Sequence, residues 1–327
     1  MPVTSPPLGQ PCASDHYSKS VDADIWWQAH FGDAAEAVLE FLGGDGIALA
    51  GKRVCDIGCG DGIIDFGLTV KGRPEQLVGF DLQAVDVDRL ARLAEQHAGL
   101  TDLPDQLFFA TSQETAIPAA EDSFDVAVSW SAFEHISDAT AVLTEVRRVL
   151  TDQGVLFIQV WPFYSSAHGS HLVDWFPEGF AQYRFSEEEV IRRVRSTGDQ
   201  EMAAEMLPIY QTLNRITVDE LHEALRSAGF KTVKVALTAE TVHLGDEVSH
   251  LPLSQSVISG IQLLAVPDLR PVEPEIAPEP DPQPPEQPTQ HQAPVPQAQS
   301  RPGRVAGAVR TARRGIWQLD EVLARFD

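Results

Sequence analysis

The residues placed to do chemistry stand in three groups. The first is Val54-Cys55-Asp56-Ile57-Gly58-Cys59-Gly60-Asp61-Gly62, a short apolar run that enters a glycine-rich turn. Glycines let the backbone bend sharply and approach a ligand that a Cβ would exclude. A strand handing over to a helix at such a turn aims helix N–H groups at a nucleotide-like ligand. Asp56 narrows the choice, because a fixed carboxylate repels pyrophosphate and suits a cationic or amine-bearing group. The spacing G-x-G-x-G also departs from the G-x-G-x-x-G of a dinucleotide-binding turn. The second group is Asp81, which closes the run Gln-Leu-Val-Gly-Phe-Asp. It follows Gly60 by about the spacing of an acid that holds a ribose diol, and one carboxylate can accept from both hydroxyls. The third group is histidine: His135 after a buried run, then His168 and His171 in His-Gly-Ser-His. An imidazole near neutral pKa can take the proton of a hydroxyl nucleophile. Each of the three also has a plain role in holding its loop. The H-x-x-H pair looks like a loop, since Gly169 and serines flank it, and neither Cys nor a carboxylate trio completes a closed zinc site. No metal is expected.

These groups need alternating strands and helices to carry them. Residues 52–57, 76–81, 107–110, 122–129 and 154–160 read as five short buried strands. Residues 62–71, 84–98 and 138–150 read as helices between them, the last with Val142, Leu143, Val146 and Val149 in its buried stripe. Ser186 with Glu189, and Thr217 with Glu220, have capping-box spacing and start two more helices; Gly229 ends the second. Residues 231–238 and 257–266 read as a sixth and a seventh strand. Ahead of all this, Ile25, Trp26, Ala34, Ala37, Val38, Phe41 and Leu42 approximate a helical stripe that Gly43-Gly44 ends. Tyr17, Trp26 and Trp27 are within reach of a ligand, with core packing as their simpler role. The alternation predicts an α/β fold, a doubly wound sheet with helices on both faces.

The 327 residues are 43% hydrophobic, enough for a buried core, and carry a formal net charge of −24. So acidic a chain is a poor partner for nucleic acid, where phosphate contacts dominate affinity. No apolar run reaches the about 18 residues of a membrane span, so no stable membrane insertion is expected. Residues 1–11 lack the basic-then-apolar order of a signal peptide. Cys12, Cys55 and Cys59 form an odd set without zinc spacing and read as reduced thiols of a cytoplasmic protein. Residues 267–302 hold 12 of the 23 prolines and predict a disordered tether. Beyond it, Val305, Val309, Ile316, Leu319 and Leu323 recur at helical spacing behind an arginine cluster. That is a basic amphipathic helix, expected to dock on its own acidic domain or on a protein partner. The expected divisions are 1–44, an arm and covering helix; 45–266, the main domain with an insert at 161–214; 267–303, a Pro-rich linker; and 304–327, the C-terminal helix.

The stretch from Asp56 to Gly62 resembles motif I of the class I S-adenosylmethionine (SAM) methyltransferases, commonly written D-x-G-C-G-x-G. Ser123-Phe124-Asp125-Val126 is similar to the S-F-D-V that opens their fourth strand. Glu134-His135-Ile136-Ser137-Asp138 resembles their E-H-hydrophobic-x-D turn. Thr217 to Phe230 resembles their T-x-x-E-L-x-x-x-L-x-x-A-G-F signature. The resemblance covers roughly residues 45–266 and is nearest to the small-molecule branch akin to quinone biosynthesis. It implies a Rossmann-like seven-stranded sheet with the last strand antiparallel, and SAM as cofactor. It places Asp56, Gly58, Cys59, Gly60 and Gly62 at the aminocarboxypropyl end, Asp81 at the ribose, Gln113 and Glu114 at the adenine, and Leu82 and Ser129 among the cofactor contacts. At Gln113 the family usually has Asp; an amide carbonyl still offers adenine N6 an acceptor. His135, His168 or His171 would face the acceptor.

Eight aromatic side chains fall between Trp161 and Phe185. They suit a lid over a sugar or a phenol, or a small aromatic subcore that holds the insert together, and both can hold. The function this implies is methyl transfer to a hydroxyl of a small polar acceptor, with a sugar or glycan precursor favoured. N- or C-methylation of a secondary metabolite is the alternative, as is a scaffold that works through its C-terminal helix. NAD-dependent reduction is opposed by Asp56 and by the glycine spacing.

Overall fold

The computed structural model describes residues 23–197 and 200–269. The arm at 1–20 with Cys12 and Tyr17, nearly all of the Pro-rich linker, and the basic C-terminal helix lie outside the described residues. Seven strands form one sheet: β1 (Arg53–Ile57), β2 (Gln76–Asp81), β3 (Leu107–Thr111), β4 (Phe124–Trp130), β5 (Leu150–Val160), β6 (Phe230–Ala239) and β7 (Ile258–Pro267). Their order is β3-β2-β1-β4-β5-β7-β6. The first five run parallel, and β7 lies antiparallel between β5 and β6. This is the doubly wound, Rossmann-like sheet expected from the sequence. Boundaries shift by a few residues, with the helix after β2 beginning at Val87 rather than at 84 and β4 at Phe124 rather than at 122; the largest shift is in β5. Strand β5 begins at Leu150 rather than Gly154, because its register to β4 jumps from Phe124↔Leu150 to Val126↔Val155.

Helices cover both faces. The N-terminal stripe folds as α1 (Ala23–Trp27), a π-helical stretch (Gln28–Ala34) and α2 (Ala35–Gly43); α3 (Ile63–Gly72) follows the glycine turn and α4 (Val87–Ala98) follows β2. Side chains alternate across a strand. Val54, Val126 and Val128 therefore pack with Val38, Phe41 and Leu42 of α2 and Leu68 of α3. Cys55, Ile57 and Ala127 pack on the opposite face with α5 (Ala139–Val149) and α9 (Val218–Ser227). Asp56 shares the parity of Val54 and so points at the α3 face.

The order reverses at β1, whose neighbours are β2 on one side and β4 on the other. In open α/β sheets such a switch point, at the carboxyl ends of the strands, is where ligands bind. Over it lies the insert, with α6 (Ala181–Arg184), α7 (Glu187–Ser196) and α8 (Gln200–Thr212). Its aromatics are mostly spent on its own core: Tyr164 and Phe176 are buried with Leu172, Val190, Met206 and Tyr210, while Trp175, Tyr183 and Phe185 pack against them. The subcore alternative accounts for these residues, and the aromatic-lid alternative keeps Trp161 alone of the eight in the cavity described below. A short α10 (Leu253–Ser256) precedes β7. Among the described residues no helix is long and apolar enough to cross a membrane.

Helix α9 shows the predicted capping box. The Thr217 hydroxyl accepts from the Glu220 N–H at 3.2 Å, and the Glu220 carboxylate accepts from the Thr217 N–H at 2.9 Å. Replacing Thr217 by Ala removes one half of it and is expected to cost about 1 kcal/mol. Urea unfolding checks this: the midpoint falls and the slope stays as in the parent.

Candidate functional site

A cavity of about 1020 Å³ opens at the carboxyl ends of β1 and β4. Its floor is the glycine turn, its roof the insert, and one wall the N-terminal helices. Asp56, Gly58, Cys59 and Gly60 line the floor; His168 and His171 line the roof beside Trp161 and Met206; Trp26, His30 and Asp33 line the wall. The sequence thus named the floor and the roof, and the fold brings them into one space.

The turn is tied to β2. The N–H groups of Gly58 and Cys59 both donate to the Phe80 carbonyl, at 2.8 and 3.1 Å. The Gly60 N–H donates to Asp81 Oδ2 at 3.0 Å, and Asp81 Oδ1 accepts from the Gln83 N–H at 3.0 Å. Gly60 has φ near +56°, and nothing lies within 4 Å of where its Cβ would stand. The turn is therefore open toward a ligand at that point. Gly62 serves another purpose: a Cβ there would meet the Phe109 ring at 2.7 Å. The start of α3 is already occupied, because Asp61 Oδ1 accepts from the Ile63 N–H at 3.1 Å while Asp61 Oδ2 accepts from Trp26 Nε1 at 2.9 Å. An acid fills the place where a pyrophosphate would sit, which opposes a dinucleotide on physical grounds. Trp26 meets both expectations, packing half-buried against the cluster of Trp27, Ile63 and Phe66 and lining the cavity, while Trp27 is buried against Phe66.

Asp56 is 2% exposed, and its Oδ1 has no hydrogen-bond partner among the described residues. Burial pushes its carboxyl up to about 7. An unsatisfied buried carboxyl on a cavity wall is costly unless a ligand completes it. Together with the open Gly60 it fits the amine-bearing end of SAM, and Asp81 at the end of β2 fits a ribose diol.

The other expected cofactor contacts divide. Leu82 is 57% exposed, and Gln113 and Glu114 sit exposed on a tight turn bridged between Gln113 and Ala116; none of the three lines the cavity. Ser129 is fully buried, and its hydroxyl donates to the Ile57 carbonyl at 2.7 Å. Its role is to lock β4 to β1 rather than to hold a ligand. Burial also pushes the thiols of Cys55 and Cys59 up, so both stay protonated and unreactive.

On the acceptor side, the His-Gly-Ser-His segment is a loop, as its glycine and serines suggest. Gly169 is required there, because a Cβ would strike the Phe163 and Tyr164 carbonyl oxygens at 2.2 Å. His168 Nδ1 is buried without a hydrogen-bond partner among the described residues. His171 adopts φ near +59°, a strained conformation for a bulky side chain, and its ring centroid stands 5.7 Å from that of His135. Burial lowers His135, and burial with the neighbouring His135 lowers His171 to about 3, so both imidazoles are neutral at physiological pH.

Three residues the sequence did not single out complete this side. Glu134 is 1% exposed, neither carboxyl oxygen has a hydrogen-bond partner among the described residues, and burial pushes it up to about 8. Atoms of Glu134, His135 and His171 able to bind a metal ion lie within 4.8 Å of one another, close enough to share one cation. Asn214 clamps their loop, donating to the Phe133 and Ile136 carbonyls at 2.6 and 2.7 Å. Gln159 Oε1 holds Ser131 through its N–H and its hydroxyl, at 3.0 and 2.8 Å. Asn214 and Gln159 have no local sequence signal, since each acts across the chain on a loop brought to it by the fold; Glu134 stands in the E-H turn read from the sequence, which did not assign it a role.

Comparison with known proteins bears on the same residues. Residues 26–235 match the model of a family described as a methyltransferase domain. A ubiquinone biosynthesis O-methyltransferase of Cereibacter sphaeroides is 26% identical over 69% of this chain and 74% of its own length. One of Neisseria meningitidis is 29% identical over 41% of this chain and 56% of its own. The chain spans little more than half the length of the first curated relatives it matches. A SAM-dependent methyltransferase structure from Methanosarcina mazei aligns over 70% of this chain and 98% of its own, at 18% identity and a TM-score of 0.42. The family match takes in the glycine turn, Asp81 and the histidine loops in one continuous stretch, and by it the chain belongs to the methyltransferase domain family, as a class I SAM-dependent methyltransferase.

Proposed function

We propose that the chain moves a methyl group to a hydroxyl of a small polar acceptor held between the glycine turn and the histidine loops. The observation that carries this is that His171, a neutral imidazole, lines the same cavity as Asp56 and is backed by His135 and the buried acid Glu134. SAM supplies an electrophilic methyl on a sulfonium, so the hard chemistry belongs to the cofactor. The protein's own residues position the reactants and exclude water.

In this assignment Asp56 and the Gly58–Gly60 turn hold the amine end and Asp81 the ribose. Trp26, Trp130 and Trp161 give the cavity flat apolar faces. His171 takes the acceptor proton, with His168 as a second candidate on the same loop. A pKa as low as about 3 does not disqualify His171. The O–H of the acceptor becomes strongly acidic as its oxygen commits a lone pair to the incoming methyl, so a weak base suffices at that moment. His135 sets the orientation of the His171 ring. Kinship with O-methyltransferases at low identity supports a hydroxyl over an amine or carbon centre. The burial of most insert aromatics within their own subcore withdraws the main support for a sugar, and phenols stand level with it.

Two measurements test these assignments. Asp81→Ala is expected to weaken S-adenosylhomocysteine at least roughly tenfold by calorimetry, the scale of a lost charged hydrogen bond. Unchanged affinity in a folded variant sinks the ribose role. Labelled SAM offered with a panel of catechols and a panel of free sugars then separates the two acceptor classes, and His171→Asn is expected to lower turnover far more than cofactor affinity.

The second concerns Glu134. Its carboxyl ionises near 4.5 when unfolded and keeps its proton to about 8 when folded. The folded state thus binds more protons between those values, and stability falls as pH rises through that window. Glu134→Gln has no proton to lose. With a chelator present, its melting temperature is expected to match the parent at pH 4.5 and exceed it by roughly 4 °C or more at pH 8. A gap that does not change with pH contradicts the assignment.

A further inference from the structure

Behind Asp56, on the side away from the cavity, lies a second acid. Asp65 sits in the first turn of α3, fully buried at 0% exposure. Strand parity aims Asp56 at the α3 face, and α3 begins right after the turn, so the two carboxyls meet. No side-chain donor reaches Asp56 Oδ1 or either oxygen of Asp65. The two carboxyls are close enough that each acts on the other's protonation. Two carboxyls in contact in a dry interior cannot both be anionic, so at least one proton must lie between them.

The surroundings sharpen this. The other titratable groups that face the pair are the Cys55 thiol on β1, Cys59 and Asp61 on the turn, and Asp81 on β2. None of these is a cation. Asp56 reaches the cavity and Asp65 is not among its lining residues. The inner acid therefore presents no surface of its own to solvent or to a ligand in the cavity.

We propose that Asp65 is a positioning residue for the cofactor site: it keeps its proton and donates it to Asp56 from behind the cavity wall, so that Asp56 turns the negative oxygen of the pair to the cavity, and docking of an ammonium group on Asp56 expels a second proton to solvent. The proton balance is simple. Below neutrality Asp56 is largely protonated as well; when the cation arrives, the Asp56 O–H bond breaks, the proton goes to buffer, and the carboxylate stays paired with the ligand ammonium on one side and the Asp65 hydroxyl on the other. Burial raises both groups, and only Asp56 lines the cavity, so the geometry puts the oxygen that can lose its proton on the ligand's side. The inference rests on the glycine turn being the cofactor site.

The test is calorimetric titration with S-adenosylhomocysteine, which carries the same α-ammonium, at pH 6 and pH 8 in buffers of different ionisation enthalpy. The parent is expected to release most of one proton per ligand at pH 6 and little at pH 8, with affinity rising by up to about tenfold per pH unit below neutrality. Asp65→Asn keeps a donor and is expected to stay within about threefold of parent affinity at pH 8, with proton release retained. Asp65→Leu loses the donor, moves the midpoint to higher pH, and binds at least about tenfold more weakly at pH 7, recovering toward pH 9. If that variant does not fold, the parent and Asp65→Asn titrations decide. Binding that is independent of pH and buffer, or an Asp65→Asn that stays folded and loses as much as Asp65→Leu, overturns the inference and leaves the cofactor site standing. Absence of any binding by the parent at either pH overturns both.

Discussion

The site depends on one carbonyl. The Phe80 oxygen at the end of β2 accepts from both the Gly58 and the Cys59 N–H, and the next donor along the turn, the Gly60 N–H, goes to Asp81. Three consecutive backbone donors of the turn are thus spent on the neighbouring strand. This pins the end of β1 to the end of β2 at the point where the sheet order reverses. It also sets the direction in which α3 leaves. Asp56, Asp81 and the first turn of α3 have a fixed relation only because these bonds exist, and a turn bonded within itself would not hold the two acids at one ligand.

The same geometry concentrates polar groups where stability alone would not put them. Asp56, Asp65 and Glu134 are all nearly or fully buried, and among the described residues no arginine, lysine or histidine forms an ion pair with them. Elsewhere the chain pairs its acids well: Asp125 accepts from Arg53 at 2.9 Å, and Glu145 from Arg148 at 2.8 Å, and both are held below the usual carboxylate range by those guanidiniums. These paired acids face out and support the fold. Of the unpaired ones, Asp56 lines the cavity, Asp65 is buried in the first turn of α3 next to it, and Glu134 stands beside His171, which lines the cavity. Buried acids without a cation cost stability, and such groups gather where a ligand or a reaction needs them.

The acceptor side is built from distant pieces. The loop after β4 brings Glu134 and His135, the insert brings His168 and His171, and Asn214 at the end of the insert fastens the first loop to the second. The insert can do this because it has a core of its own. Its aromatics fill that core, which is what makes the lid a rigid part rather than a flexible flap.

The sequence by itself determined the sheet, the glycine turn and the acid at the end of β2. These rest on local patterns: continuous apolar runs, glycines at fixed spacing, and the Thr217–Glu220 capping box, each of which acts within a few residues. It also named the histidines, since they lie in recognisable turns. Only the tertiary structure decided what those groups face. The parity of β1 and the start of α3 put Asp65 behind Asp56, and nothing in the spacing of positions 56 and 65 announces that. Ser129, expected at the cofactor, is turned inward to a backbone carbonyl because β4 packs directly beside β1. Trp26 lines the cavity from α1, just ahead of a π-helical stretch that the periodicity read as ordinary helix. The insert aromatics carry the same lesson: composition places them over a site, but whether a ring faces a ligand or a neighbouring ring is a matter of packing, and packing is a property of the whole fold.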